Sequence, residues 1–94
     1  MIRHVILWKF RAGEEEGMYR FLEGLKALNG QIPQILSMET GVDMGIDGNY
    51  DAVLIATFRS REDLDAYKRD PRHVAVSNLC KSIRTDRVAV DYEF

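Results

Sequence analysis

Ninety-four residues, 46% hydrophobic and 30% charged, suffice for one small hydrophobic core and point to a single domain over residues 1–94. Thirteen lysines and arginines against fifteen acids leave a net charge of −2, without the basic excess that a phosphate backbone demands, so no nucleic-acid partner is expected. The single Cys80 excludes an intrachain disulfide and a cysteine zinc site and fits a reducing, cytoplasmic setting; no apolar run reaches the roughly 18 residues of a membrane span, so no membrane partner is expected.

From Ile2 to Phe10 the chain is β-branched and aromatic, with His4, Ile6, Trp8 and Phe10 alternating against Val5 and Leu7. Apolar groups on both sides predict a strand buried on both faces. Glu14 to Leu28 carries Met18, Phe21, Leu22, Leu25 and Leu28 at helical spacing, with acids in its first turn. This is an amphipathic helix, closed by Asn29-Gly30. Ile35 to Val42 alternates with a more polar second face, as an edge strand does. Asp43 to Asn49 reads as a turn, and the nearly continuous apolar run Tyr50 to Phe58 as a central strand paired with the preceding one. Asp47-Gly48-Asn49-Tyr50-Asp51 lacks the later Gly and Glu of an EF-hand loop, so no metal is assigned to it.

Ser60, three residues before Asp63, opens a helix whose apolar stripe is Leu64 and Tyr67. Asp70-Pro71 breaks that helix and starts another, with Asp70 as N-cap and Pro71 in the first turn. Val76, Leu79, Cys80 and Ile83 form its predicted buried face. Arg87 to Phe94 alternates Val88, Val90 and Tyr92 against Ala89, Asp91 and Glu93, a final strand.

The order βαββαβ, with the second helix broken, predicts an α+β fold of the ferredoxin-like kind: a four-stranded antiparallel sheet with its helices on one face. Val5, Leu7, Val53, Ile55, Val88 and Val90 then line the other face. At about 25 cal/mol per Å², leaving a few hundred Å² of that face wet costs several kcal/mol. A symmetric homodimer closing into a barrel removes the cost.

Two histidines are available. His4 points with Ile6 and Trp8 toward the helices, and His73 occupies the third position of the helix opened by Asp70-Pro71. The positive helix end disfavours imidazolium there, which leaves His73 a neutral general base. Tyr67 lies on the preceding helix and needs a partner for its hydroxyl if buried. Asp91 falls beside the start of the first strand, where it can fix the tautomer of His4. Plainer readings stand beside these: a structural His4–Asp91 pair, a solvent-facing His73, and a core aromatic Tyr67. Cys80 carries no activating signature. No P-loop, dinucleotide fingerprint, H-E-x-x-H or G-x-S-x-G occurs, and no cofactor is expected.

Ile2-Arg3-His4-Val5-Ile6-Leu7-Trp8-Lys9-Phe10 and Pro71-Arg72-His73-Val74 resemble the recurring marks of the stress-responsive dimeric α/β barrel (Dabb) domain family. Ile32-Pro33, Gly41, Tyr50-Asp51, Ala66-Tyr67 and Val90-Asp91-Tyr92 extend the resemblance over essentially the whole chain. It implies the homodimeric ferredoxin-like barrel. A plant member of that family, olivetolic acid cyclase, performs a cofactor-free aldol cyclisation between sheet and helices. By that resemblance His73 is the general base, Tyr67 its hydroxyl partner, and His4 and Asp91 supporting polar groups. Ile6, Trp8, Phe21, Leu25, Leu54 and Ala56 are implied as cavity wall, with Val76 added from the third helix. Trp8 replaces a smaller aliphatic residue of the cyclase and Ala52 a histidine, which points away from the same long substrate.

Three functional readings follow: a cofactor-independent proton-transfer or cyclase-type enzyme on a small apolar carbonyl compound, a non-catalytic dimeric stress-response or ligand-binding module, and a cofactor-free monooxygenase of the antibiotic-biosynthesis type.

Overall fold

A computed structural model describes residues 1–94 as β1 (Ile2–Phe10), α1 (Glu15–Leu28), β2 (Ser37–Val42), β3 (Ala52–Phe58), α2 (Arg61–Arg69), α3 (Pro71–Ile83) and β4 (Arg84–Glu93). The strands form one antiparallel sheet in the order β2-β3-β1-β4. This is the ferredoxin-like arrangement, with β2 at an edge as its polar second face predicts.

The two caps expected in the broken helix are both made. Ser60 Oγ accepts from the Asp63 amide at 3.2 Å, and Asp70 Oδ1 accepts from the Arg72 amide at 2.9 Å. Each satisfies an amide that the first helical turn leaves without an intrahelical partner. Asp70 itself is extended, with ψ of 129°. The chain therefore changes direction between α2 and α3.

One face of the sheet and the apolar stripes of the helices make the core. Ile6, Trp8, Phe21, Leu25, Leu54 and Phe58 are all 5% exposed or less. On the opposite face Val5 lies across from Ile55 and Val90, and Leu7 from Val53 and Val88. These side chains are half-buried to exposed, with Leu7 at 38% and Val90 at 63%. Within one chain β1 is therefore buried on its helix-facing side alone, because no helix crosses the second face.

Strand limits differ from the periodic reading where local bonds override it. β2 begins at Ser37 rather than Ile35, since Ile35 packs into the core ahead of the strand. β3 begins at Ala52 because Asp51 is committed elsewhere: its amide donates to the Trp8 carbonyl at 2.8 Å and its carboxylate accepts from the Phe10 amide at 2.8 Å. The turn is organised by Asp43, whose carboxylate accepts from the amides of Gly45 and Ile46. β4 begins at Arg84, three residues before the expected Arg87, and follows α3 with no intervening loop. Arg84 pairs with Phe10 across a register shift between Lys9 and Phe10, and alternation does not reveal such an irregularity.

Candidate active site

Between the helices and the sheet lies a cavity of about 280 Å³, just under the range of about 300–1,000 Å³ usual for ligand pockets. Ile6 and Trp8 from β1, Leu54 from β3, and Phe21 and Leu25 from α1 make its apolar part. The Trp8 ring meets Phe21 edge-on at 5.0 Å. Its indole therefore occupies space that a smaller side chain would leave to a ligand.

The polar part holds both histidines and Tyr67. His4 is 2% exposed, and its register partner on β4 is Asp91. The Asp91 carboxylate can only accept, so His4 Nδ1–H donates to it and the lone pair of neutral His4 resides on Nε2. Burial lowers the His4 pKa below its ordinary value, and the Asp91 bond and charge oppose that effect without cancelling it.

His73 is half-buried, with Nδ1 3.1 Å from the Lys68 carbonyl oxygen. A carbonyl cannot donate, so Nδ1 carries the proton and Nε2 is the basic nitrogen. Burial is the leading reason the His73 pKa lies below the ordinary value; the charges of His4, Arg87 and Lys68 act in the same direction, and the Lys68 carbonyl bond opposes it. The leading cause here is desolvation rather than the helix end invoked from the sequence.

Tyr67 is completely buried, and its hydroxyl has no hydrogen-bond partner in the chain. Its ring lies 4.3 Å from that of His73 and 6.4 Å from that of His4. Desolvation pushes the phenol pKa well above its ordinary value. The group is therefore a permanent proton donor near neutrality.

The remaining expectations divide. Asp91 does not line the cavity and reaches it through His4 and, at 3.9 Å, through Lys68. Two wall residues are corrected. Ala56 does not line the cavity; it is 0% exposed, opposite His4 in the β1–β3 register. Val76 turns to α1, where its methyl groups come within 3.3 Å of the position a Cβ on Gly24 would take. Cys80 does line the cavity, and burial raises its thiol pKa, as befits an inert group.

Four cationic residues absent from the sequence reading also line the cavity: Lys68, Lys81, Arg84 and Arg87. Ser77 joins them. Two signals could have found part of this set. Ser77 and Lys81 continue from His73 at intervals of four along α3, and Arg87 shares the alternation that places Asp91 on the helix-facing side.

The pattern of the Stress responsive A/B Barrel Domain, Dabb, matches residues 2–94. The chain belongs to this family. A curated Dabb relative, the stress-response A/B barrel domain-containing protein DABB1 of Arabidopsis thaliana, is 30% identical over 98 residues covering 98% of this chain and 46% of that protein. The chain thus spans about half the length of this relative. Among solved structures, a dimeric protein of unknown function with a ferredoxin-like fold from Bacteroides fragilis is 28% identical, with a TM-score of 0.91 over 99% of this chain and 95% of that one. A dimeric ferredoxin-like protein of unknown function from Thermobifida fusca is 27% identical, with a TM-score of 0.89 over 99% and 90%. The fold alone is shared with a hydroxynitrile lyase from Passiflora edulis, at 14% identity and a TM-score of 0.84 over 97% and 90%. No helix of this Dabb chain is long and apolar enough to cross a membrane.

Proposed function

We propose that this Dabb protein is a cofactor-independent proton-transfer enzyme acting on a small, partly apolar carbonyl compound. The observation that carries the reading is the Tyr67 hydroxyl: buried, without a partner, and beside His73 in the same cavity. An unsatisfied buried hydroxyl costs about 1–3 kcal/mol, and a substrate oxygen would relieve that cost on binding.

In this mechanism His73 Nε2 takes a proton from the carbon α to the carbonyl. The C–H electron pair becomes the C=C bond of an enolate, and the carbonyl π pair moves onto oxygen. Tyr67 O–H donates to that oxygen as charge develops. Return of a proton from imidazolium to carbon or oxygen closes the cycle. His4 and Asp91 act as positioning residues, presenting a single imidazole tautomer next to the reacting groups.

Deuterium incorporation into the methylene of phenylacetone, followed by proton NMR in D₂O, tests this directly. Enzyme-dependent exchange that is lost in His73→Ala supports the reading; exchange no faster than in buffer, across a set of such ketones that bind, leaves a non-catalytic ligand-binding module. Oxygen consumption measured in parallel would identify the monooxygenase alternative.

We further infer that the functional unit is a homodimer paired through Val5, Leu7, Val53, Ile55, Val88 and Val90. The open sheet face supports this, as does the dimeric state of the Bacteroides and Thermobifida proteins.

A further inference from the structure

We infer that the cavity takes an organic carboxylate, with its apolar body against Trp8, Phe21 and Leu25 and its anionic end at the corner formed by Lys81, Arg84 and Arg87. This deepens the proton-transfer reading, on which it rests only for the placing of the carbonyl near Tyr67.

Charge distribution carries the argument. Asp and Glu outnumber Lys and Arg in the chain, yet four Lys and Arg residues and no Asp or Glu line this cavity. Lys68 is 3.9 Å from Asp91 and so is partly neutralised. Lys81, Arg84 and Arg87 make no ion pair. Because β4 follows α3 without a loop, Lys81 on the last turn of α3 and Arg84 and Arg87 on the first residues of β4 are gathered at one corner. Three uncompensated cations beside one cavity repel each other and favour an anion between them.

The field of this corner reaches the reacting groups. Arg87 contributes to the pKa of His4, Tyr67, His73 and Cys80 alike, in every case toward lower values. Arg87 is an exposed residue of β4 whose side chain also borders the cavity. Arginine also presents a planar fork that matches a carboxylate with two parallel hydrogen bonds. The apolar end and the buried Tyr67 hydroxyl then require more than a free inorganic anion. They require a small molecule with an apolar body and an oxygen of its own.

Titration of the isotopically labelled full chain, followed by NMR, uses 3-phenylpropionate, its neutral analogue 3-phenylpropionamide, and inorganic phosphate. The acid should bind at least about tenfold more tightly than the amide, a difference of about 1.4 kcal/mol, and should shift the amides of α3 and the start of β4. Arg87→Gln should bring the acid-to-amide ratio toward one, with Arg84→Gln as a second variant should the first fail to fold. Equal affinity of acid and amide, no binding of the acid at millimolar concentration, or equal competition by phosphate would overturn the inference. The two readings fail separately. Preference for the acid without deuterium exchange in any ketone removes the proton-transfer reading alone, whereas exchange of neutral phenylacetone without preference for the acid removes the carboxylate alone.

Discussion

The rings of Tyr67 and His73 lie 4.3 Å apart although they belong to different helices. In an unbroken helix, residues six positions apart are separated by about 9 Å along the axis and face different directions. The extended Asp70 and Pro71 remove that constraint and let the end of α2 and the first turn of α3 fold onto one cavity. The break is thus the element that assembles the base and the hydroxyl.

Asp70→Ala tests this dependence. The Arg72 fork bonds both Asp70 oxygens and reaches on to the Gln31 carbonyl, and it holds the Asp70 carboxyl down to about 2. Losing the carboxylate should lower the urea midpoint and also shift the His73 titration, because the first turn of α3 is freed. Ser60→Ala is the control: it removes the cap of α2 at a cost of about 1 kcal/mol and should leave the His73 midpoint in place. If Asp70→Ala lowers stability without moving His73, the break does not position the base.

Tyr67→Phe separates catalysis from stability. The hydroxyl makes no bond in the unliganded chain, so its removal should leave the urea midpoint unchanged or raised. Exchange activity should fall by about 10²–10³-fold if the hydroxyl supports the developing enolate. A marked loss of stability would instead mean that the hydroxyl is satisfied in solution, and the assigned role would be abandoned.

Much of this geometry is legible in the sequence, and for identifiable reasons. Period-two alternation places His4 and Asp91 on one side of adjacent strands, and their direct pairing follows from the element order. Asp70-Pro71 is a local signal with local consequences, so the caps can be read directly. The cationic corner is different. Lys68, Lys81 and Arg87 come from three elements, and a charged side chain in a sequence carries no mark that distinguishes a cavity rim from a solvated face. Val76 fails for the converse reason: helical spacing shows that it is turned inward, but only packing shows that α1, through Gly24, receives it.

The pH dependence has a definite sign. Both histidines titrate below their ordinary value of 6.5, with burial as the leading cause. As pH falls through 6.5 the unfolded chain takes up protons that the folded chain does not. Stability from this source is present above 6.5 and is lost as pH falls toward the folded-state values. Histidine NMR should therefore show both midpoints below 6.5, and the acid limb of the exchange rate should follow that of His73. A His73 midpoint at or above 6.5 in the unliganded chain would contradict the half-buried, cation-facing environment.

Asp91→Asn addresses the positioning pair. The bond and the charge of Asp91 both raise the His4 pKa, against desolvation. An amide keeps an acceptor for His4 Nδ1–H but removes the charge, so the His4 midpoint should drop further while the folded state persists. Exchange activity should fall less than in Tyr67→Phe, since the Asp91 carboxylate acts through His4. A rise in the His4 midpoint would show that the pair is not formed in solution.

The open sheet face gives the last test. Leu7 is 38% exposed in the single chain and stands between Val53 and Val88 in the register. Its substitution therefore does little to the chain's own core, but Leu7→Asp would place an unpaired carboxylate in a sheet-to-sheet contact, where desolvating it is costly. Light scattering at micromolar concentration should give about twice the 10.8 kDa chain mass for the wild type and the chain mass for Leu7→Asp. Met44→Asp, at a turn residue 87% exposed, should leave the dimer intact. Circular dichroism of Leu7→Asp keeps the comparison fair, because a folded monomer isolates the loss of pairing from loss of the fold. A wild-type protein that scatters as a single chain would mean that the aliphatic face tolerates water, and the barrel would have to be given up.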